Sequence, residues 1–139
     1  MIVLDTNVLS ETMRPTPDTQ VLRWMAARPA VGLFSTTITE AEILLGLALL
    51  PEGGRRRDLE TQARAMFAED LKNRVLPFDG AAAARYAEIV AARRRSGSPI
   101  GHQDAQIAAI ARSRGAAVAT RNAKDFDECG VEIINPWKA

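Results

Sequence analysis

Thiols, imidazoles and aromatic rings are all scarce in this chain. One cysteine, Cys129, occurs in 139 residues. A single thiol excludes an internal disulfide and a cysteine-based zinc site, and it suits a reducing cytoplasm. There is one histidine, His102, which leaves no imidazole cluster for zinc. Aromatic residues make up only 5%, so Leu, Ile, Val and Ala must build most of the core. Long apolar runs are also missing. The longest, residues 43–50, spans eight residues, less than half of the roughly 20 a membrane helix needs. Met1 to Leu4 is too short for a signal-peptide core, and Asp5 interrupts it. The sequence therefore predicts no membrane segment.

Neither sign of charge dominates. The formal net charge is +1, so global charge does not announce a nucleic-acid binder. The cations are nevertheless uneven, fifteen Arg against three Lys. Arg presents a planar fork that matches two phosphate oxygens at once. Two triplets, Arg55-Arg56-Arg57 and Arg93-Arg94-Arg95, either cover solvated helix faces and ends or, with Arg121, contact phosphates. The apolar share of 47% and charged share of 25% are those of an ordinary globular protein. The length suits one domain over residues 1–139, large enough to bury roughly two thirds of its unfolded surface.

Loop signals fall at Arg14-Pro15-Thr16-Pro17, Pro51-Glu52-Gly53-Gly54 and Ser96-Gly97-Ser98-Pro99. Between them, short apolar runs alternate with longer helical patterns. Strands are expected at residues 1–4, 31–35, 74–76, 116–119 and 131–134, and helices at 19–27, 37–50, 55–72, 80–95 and 102–114. Asp79 is placed to cap the fourth of these helices. The alternation predicts an α/β fold with a central parallel sheet of four to five short strands flanked by helices on both faces. Such sheets bind ligands beyond the carboxyl ends of their strands.

Acids gather where that rule points. Asp5 ends the first strand, with Thr6 and Asn7 following before Val8 and Leu9 resume an apolar pattern; Asp5 could equally cap a helix beginning there. Glu42 shares a helical face with Ile38, Ala41, Leu45 and Leu49, and an anion in an apolar stripe is costly unless something pairs with it. Glu40 points away and suits the helix dipole. Asp104 falls on one face with Ile107, Ala108 and Ala111, although its place in the first turn also fits dipole stabilisation. After the fourth strand come Thr120, Arg121, Asn122, Ala123, Lys124 and Asp125; Asn122 and Asp125 could face the same crevice, or Asp125 could cap the turn around Phe126. His102, two residues before Asp104, should face elsewhere, at the surface. Converging carboxylates without a basic partner suggest a hard-cation site. Mg²⁺ takes oxygen ligands at about 2.0–2.1 Å and keeps several waters, so few carboxylates suffice. Thr6, Asn7 and Thr120 are placed to hold those carboxylates.

These blocks resemble the PIN-domain nucleases, specifically the VapC-type toxins of bacterial toxin–antitoxin pairs. The resemblance runs nearly end to end: Met1-Ile-Val-Leu-Asp-Thr-Asn-Val-Leu-Ser-Glu11, Ser35-Thr-Thr-Ile-Thr-Glu-Ala-Glu42-Ile-Leu-Leu-Gly46, Ile100-Gly-His-Gln-Asp104-Ala-Gln-Ile-Ala-Ala109 and Val118-Ala-Thr-Arg-Asn122-Ala-Lys-Asp-Phe126. Leu76-Pro-Phe-Asp79 and Asn135-Pro136-Trp137 resemble the FitB-like branch. The resemblance implies a Rossmann-like fold, Mg²⁺ or Mn²⁺ dependence, endonucleolytic cleavage of RNA, and Asp5, Glu42 and Asp104 as the carboxylate set. It implies a homodimer, and a cognate VapB-like antitoxin that inserts a segment across the acids and assembles with the toxin on operator DNA. One departure is Asn122, where several members carry Asp, so the fourth corner of the site lies between Asn122 and Asp125. Two competing readings are a catalytically silent partner-binding module, with residues 43–50, Trp24 and Met25 as its docking surface, and a phosphate-receiving domain. The latter would want paired acids after the first strand and a lysine after the last, where this chain has Asp5 alone and Arg121.

Overall fold

The computed structural model describes every residue from Met1 to Ala139. Five short strands form one sheet: β1 (Ile2–Leu4), β2 (Leu33–Thr36), β3 (Val75–Leu76), β4 (Ala117–Ala119) and β5 (Ile133–Ile134). All pairings are parallel, and the spatial order is β3-β2-β1-β4-β5. The chain starts in the middle of the sheet, builds outward to β3, then returns to the other side of β1 for β4 and β5. The winding thus reverses between β1 and β4, and a crevice opens there at the carboxyl ends of the strands.

Six helices cover the sheet: α1 (Thr6–Thr12), α2 (Thr19–Ala26), α3 (Thr37–Ala48), α4 (Gly54–Ala65), α5 (Gly80–Arg95) and α6 (His102–Ser113). Side chains alternate across a strand, so Val3 and Val118 face one layer while Leu4 and Ala119 face the other. The first layer is α5 and α6, which contribute Ile89, Ile107 and Ile110; the second is α1 to α4, which contribute Val8, Val21, Trp24, Ile43 and Ala63. Both faces are covered, as the alternating pattern predicts, and the core is indeed mostly aliphatic. Asp79 caps α5 by accepting the Ala82 amide at 3.0 Å. No helix is long and apolar enough to cross a membrane.

Three expectations shift. The single helix expected over residues 55–72 is α4 followed by a wider turn over Met66–Asp70, in which the Leu71 amide reaches back to the Met66 carbonyl at 2.8 Å. That turn leaves Met66, Phe67 and Leu71 all buried. The strand expected to start at Val31 begins at Leu33, because Ala30–Gly32 makes a tight helical turn and Val31 stays 76% exposed. Helix α3 does not bury the stripe through Glu42. It buries Thr39, Ile43 and Leu47, leaving Leu45 and Leu49 at 57% and 76% exposure. Residues 43–50 are apolar nearly all round, so their periodicity did not define the inward face.

Arg93 also departs from its expected place. It is buried rather than solvated. Its guanidinium donates to the carbonyls of Ser98 at 2.6 Å, Asp125 at 3.1 Å and Asp127 at 2.8 Å. It thereby ties the end of α5 to the loop before α6 and to the turn after β4. A buried cation with several carbonyl acceptors is costly to remove, since each acceptor loses its donor. Arg93→Ala is expected to lower unfolding free energy by about 2 kcal/mol or more, whereas Arg94→Ala on the exposed side should stay within about 0.5 kcal/mol. Denaturant unfolding of the two variants side by side checks this.

Candidate active site

The acid cluster is built on the switch between β1 and β4. The register pairs Leu4 with Ala119, which sets Asp5 beside Thr120, and the Asp5 amide donates to the Ala119 carbonyl at 2.9 Å. The Asp5 side chain does two jobs. Its Oδ1 accepts the Thr6 amide at 2.8 Å and so caps α1. Its Oδ2 accepts the Thr120 hydroxyl at 2.8 Å and the Asn7 amide group at 3.1 Å. Capping and a place in the crevice are therefore compatible, and the carboxylate has one fixed orientation.

Glu42 enters from α3 and is half-buried. It lines a cleft of about 980 Å³ between α1, α3 and α4, with Thr6, Ser10, Leu47 and Arg55 among its walls. Asp104 enters from the first turn of α6, also half-buried. Asp125 stands exposed in the turn Ala123–Phe126 after β4. Asn122 precedes that turn, and its backbone amide donates to the Thr120 hydroxyl at 3.0 Å. Asp125 makes no capping bond to the turn, which leaves its carboxylate free to face the crevice.

These acids sense one another. Burial pushes the Asp5 carboxyl above its ordinary value; the hydrogen bonds from Thr120, Thr6 and Asn7 pull it back, and the Asp125 charge raises it further. Burial likewise raises Glu42, opposed by a hydrogen bond from Thr6 and reinforced by Asp5. Asp104 is pushed from 3.8 to about 6, by burial first and then by the charges of Asp5, Asp125 and Glu42, with Arg93 acting weakly the other way. None of the four forms an ion pair with a basic side chain. No three of them stand close enough together to form a ready-made ion-binding group. The donor set is oxygen only, which suits a hard divalent cation rather than zinc.

Two contributors were not legible beforehand. Thr39 is fully buried and its hydroxyl lies 3.0 Å from that of Thr6, which steadies the wall between α1 and α3. Its position three residues before Glu42 on the same helix was the available signal. Arg93 was the second, hidden inside a run that reads as a solvated helix end. His102 is exposed as expected, with Nδ1 2.8 Å from the Tyr86 hydroxyl.

The crowding has a stability consequence. Asp104 is raised in the folded state, so between its ordinary value and about 6 the folded protein binds more protons than the unfolded chain. Without divalent metal, this contribution is present below about pH 4 and is lost as pH rises toward and past 6. Asp104→Asn is expected to leave metal-free melting temperature at pH 7 equal to or above the parent's, because it relieves repulsion, whereas Asp5→Asn also removes the acceptor of the Thr120 and Asn7 side chains and should melt lower. Asp104→Asn should also flatten the decline between pH 4 and 6. Melting curves across that range in a chelator test both points, and a clear loss of stability in Asp104→Asn would mark Asp104 as structural.

The sequence profile of the PIN domain matches residues 2–131. The VapC ribonuclease Y4jK of Sinorhizobium fredii is 44% identical to this chain, over 99% of each. Toxin FitB of Neisseria gonorrhoeae is 37% identical over 99% of each, and the crystal structure of FitAcB from that organism superposes with a TM-score of 0.94, at 37% identity over the whole of both chains. DNA-bound VapBC from Salmonella typhimurium gives a TM-score of 0.81 at 27% identity, over 97% of each chain. The matching profile covers nearly the whole length and the relatives are alike from end to end, so this chain belongs to the PIN-domain family, in its VapC- and FitB-like group.

Proposed function

We propose that this chain is a Mg²⁺- or Mn²⁺-dependent endoribonuclease and the toxin half of a toxin–antitoxin pair. The observation that carries the reading is the group of half-buried and buried carboxylates without basic partners at the reversal between β1 and β4, each raised first by burial and then by a neighbouring acid. Asp5, Asp104 and Glu42 would hold the cation, with Asp125 rather than Asn122 as the further carboxylate at the open side. Bound there, the metal supplies an activated water and stabilises charge on the scissile phosphate. The protein's part is orientation. Thr120, Asn7 and the Thr6 amide fix the Asp5 carboxylate. Glu42, whose proton affinity is raised, can hold the attacking water or accept its proton.

An uncompensated acidic crevice also describes what would silence it. A cognate VapB-like antitoxin would lay a basic segment across these carboxylates, and the cleft beside Glu42 offers such a segment a seat. The solved relative VapBC from Salmonella typhimurium is bound to DNA, which supports assembly of this toxin and its antitoxin on operator DNA. Leu44, Leu45 and Leu49 stand exposed at the carboxyl-terminal half of α3, an apolar face that a second copy would cover, which supports a homodimer. The reading places the protein in the cytoplasm, where its RNA is.

Wild-type protein is expected to cleave total RNA with Mg²⁺ or Mn²⁺. Asp5→Asn and Asp104→Asn should each lower the rate about a hundredfold or more, in line with losing a transition-state interaction. Calorimetric titration should show saturable metal binding that weakens in both variants. Absence of saturable binding at millimolar Mg²⁺ and Mn²⁺ would sink the nuclease reading and leave a silent partner-binding module.

A further inference from the structure

On another face of α1 from the Glu42 cleft lies a second, smaller cleft of about 170 Å³, lined by Glu11, Arg14, Thr16, Asp18, Arg121 and Trp137. Its two acids are already engaged. Glu11 is buried, with Oε2 accepting the Asp18 amide at 2.9 Å and Oε1 3.3 Å from Arg14 Nη1. Asp18 caps α2 through the amides of Gln20 and Val21 at 2.8 and 3.2 Å. Its cations are not similarly saturated. Arg14 makes that one bond and is 63% exposed. The Arg121 guanidinium has no ion pair and no hydrogen bond; it lies over the Trp137 ring, 5.1 Å from the centroid. Two guanidinium groups with spare donors thus share one small polar cleft.

The cleft is hydrogen-bonded to the acid centre. The Asn7 side chain donates to Asp5 at 3.1 Å and accepts the Arg121 amide at 3.2 Å. Asn135 accepts the Trp137 amide at 2.9 Å and donates to the Arg121 carbonyl at 3.5 Å. A continuous set of bonds therefore runs from the Asp5 carboxylate through Arg121 to Trp137. Arg14 lies just past the end of α1, seven residues after Asn7. Arg14 and Arg121 thus line one small cleft that Asn7 joins to Asp5.

We propose that Arg121 and Arg14 form a phosphate subsite for the RNA strand whose scissile bond lies at Asp5 and Asp104, with Trp137 as the positioning residue that holds the Arg121 fork over the cleft. The proposal rests on the nuclease reading and adds to it the path of the strand. Arg suits the task because its donors engage two phosphate oxygens together, and an aromatic face beneath it fixes the plane of the fork.

The test measures binding of a labelled pool of random-sequence single-stranded RNA to Asp5→Asn protein, which binds without cutting, over a range of salt. Arg121→Gln added to that background should weaken binding about fivefold and reduce the salt slope by about one. Trp137→Ala should match it, the double variant should be no worse than Arg121→Gln alone, and Trp137→Phe should keep most of the affinity. Arg121 and Arg14 are exposed, so Arg14→Gln and Arg121→Gln report even where Trp137→Ala unfolds. Unchanged affinity and slope in Arg121→Gln would overturn the subsite. Cleavage of total RNA by protein with Asp5 intact, run in parallel, separates the two failures. Cleavage with no Arg121 effect removes the subsite alone, whereas neither cleavage nor binding removes the nuclease reading and the subsite with it.

Discussion

A buried carboxylate held between two parallel strands organises this molecule. Asp5 is 5% exposed, and a lone anion at that depth would be expelled or neutralised. Three donors keep it in place: the amide that opens α1, the Thr120 hydroxyl just past the end of β4, and the Asn7 side chain two residues on. Each belongs to a different requirement of the fold. The Thr6 amide is an orphan of the helix start and needs an acceptor. Thr120 is fixed because β4 must pair with β1 in register. Asn7 connects the resulting crevice to the chain beyond β4. The fold cannot satisfy the helix end without presenting the acid, nor present the acid without closing the sheet at that point.

The remaining acids are tolerated rather than stabilised. Asp104 gains from its place in the first turn of α6, yet its proton affinity still rises to about 6 because burial first, and then the surrounding charges, outweigh that gain. The nearest buried cation, Arg93, is occupied by loop carbonyls. Had it turned to the acids, part of their charge would be offset and the loops before α6 and after β4 would lose their tie. The structure keeps the positive charge for architecture and leaves the negative charge uncompensated, which is the arrangement expected where function and stability compete.

Much of this was legible in the sequence because its signals were local. Strand-end position marked Asp5, first-turn position on an apolar face marked Asp104, and short hydrophobic runs marked the strands. What failed was any inference that needed to know which face of an element turns inward. Glu42 was singled out for lying in an apolar stripe, but Leu45 and Leu49 on that stripe are exposed; the structure brings Glu42 to the crevice through the start of α3, where Thr39 and Thr6 meet, not through burial of the stripe. Arg93 was indistinguishable from Arg94 and Arg95, since only the fold decides which of three successive residues points at the loops. The five-residue wide turn after α4 was invisible for a related reason. It exists to put Met66, Phe67 and Leu71 inward together, a tertiary demand that local pattern does not carry.

Helix α1 is short and polar on two sides. Val8 and Leu9 supply its buried face, and seven residues leave no room for a broader one. Of the rest, Thr6 and Ser10 border the cleft beside Glu42, while Glu11 borders the smaller cleft under Trp137. Arg14, just past the helix end, borders both. A longer apolar helix here would bind the sheet more tightly and close off one cleft or the other. A short helix capped by Asp5 leaves both clefts open, and they share Arg14 just past its far end.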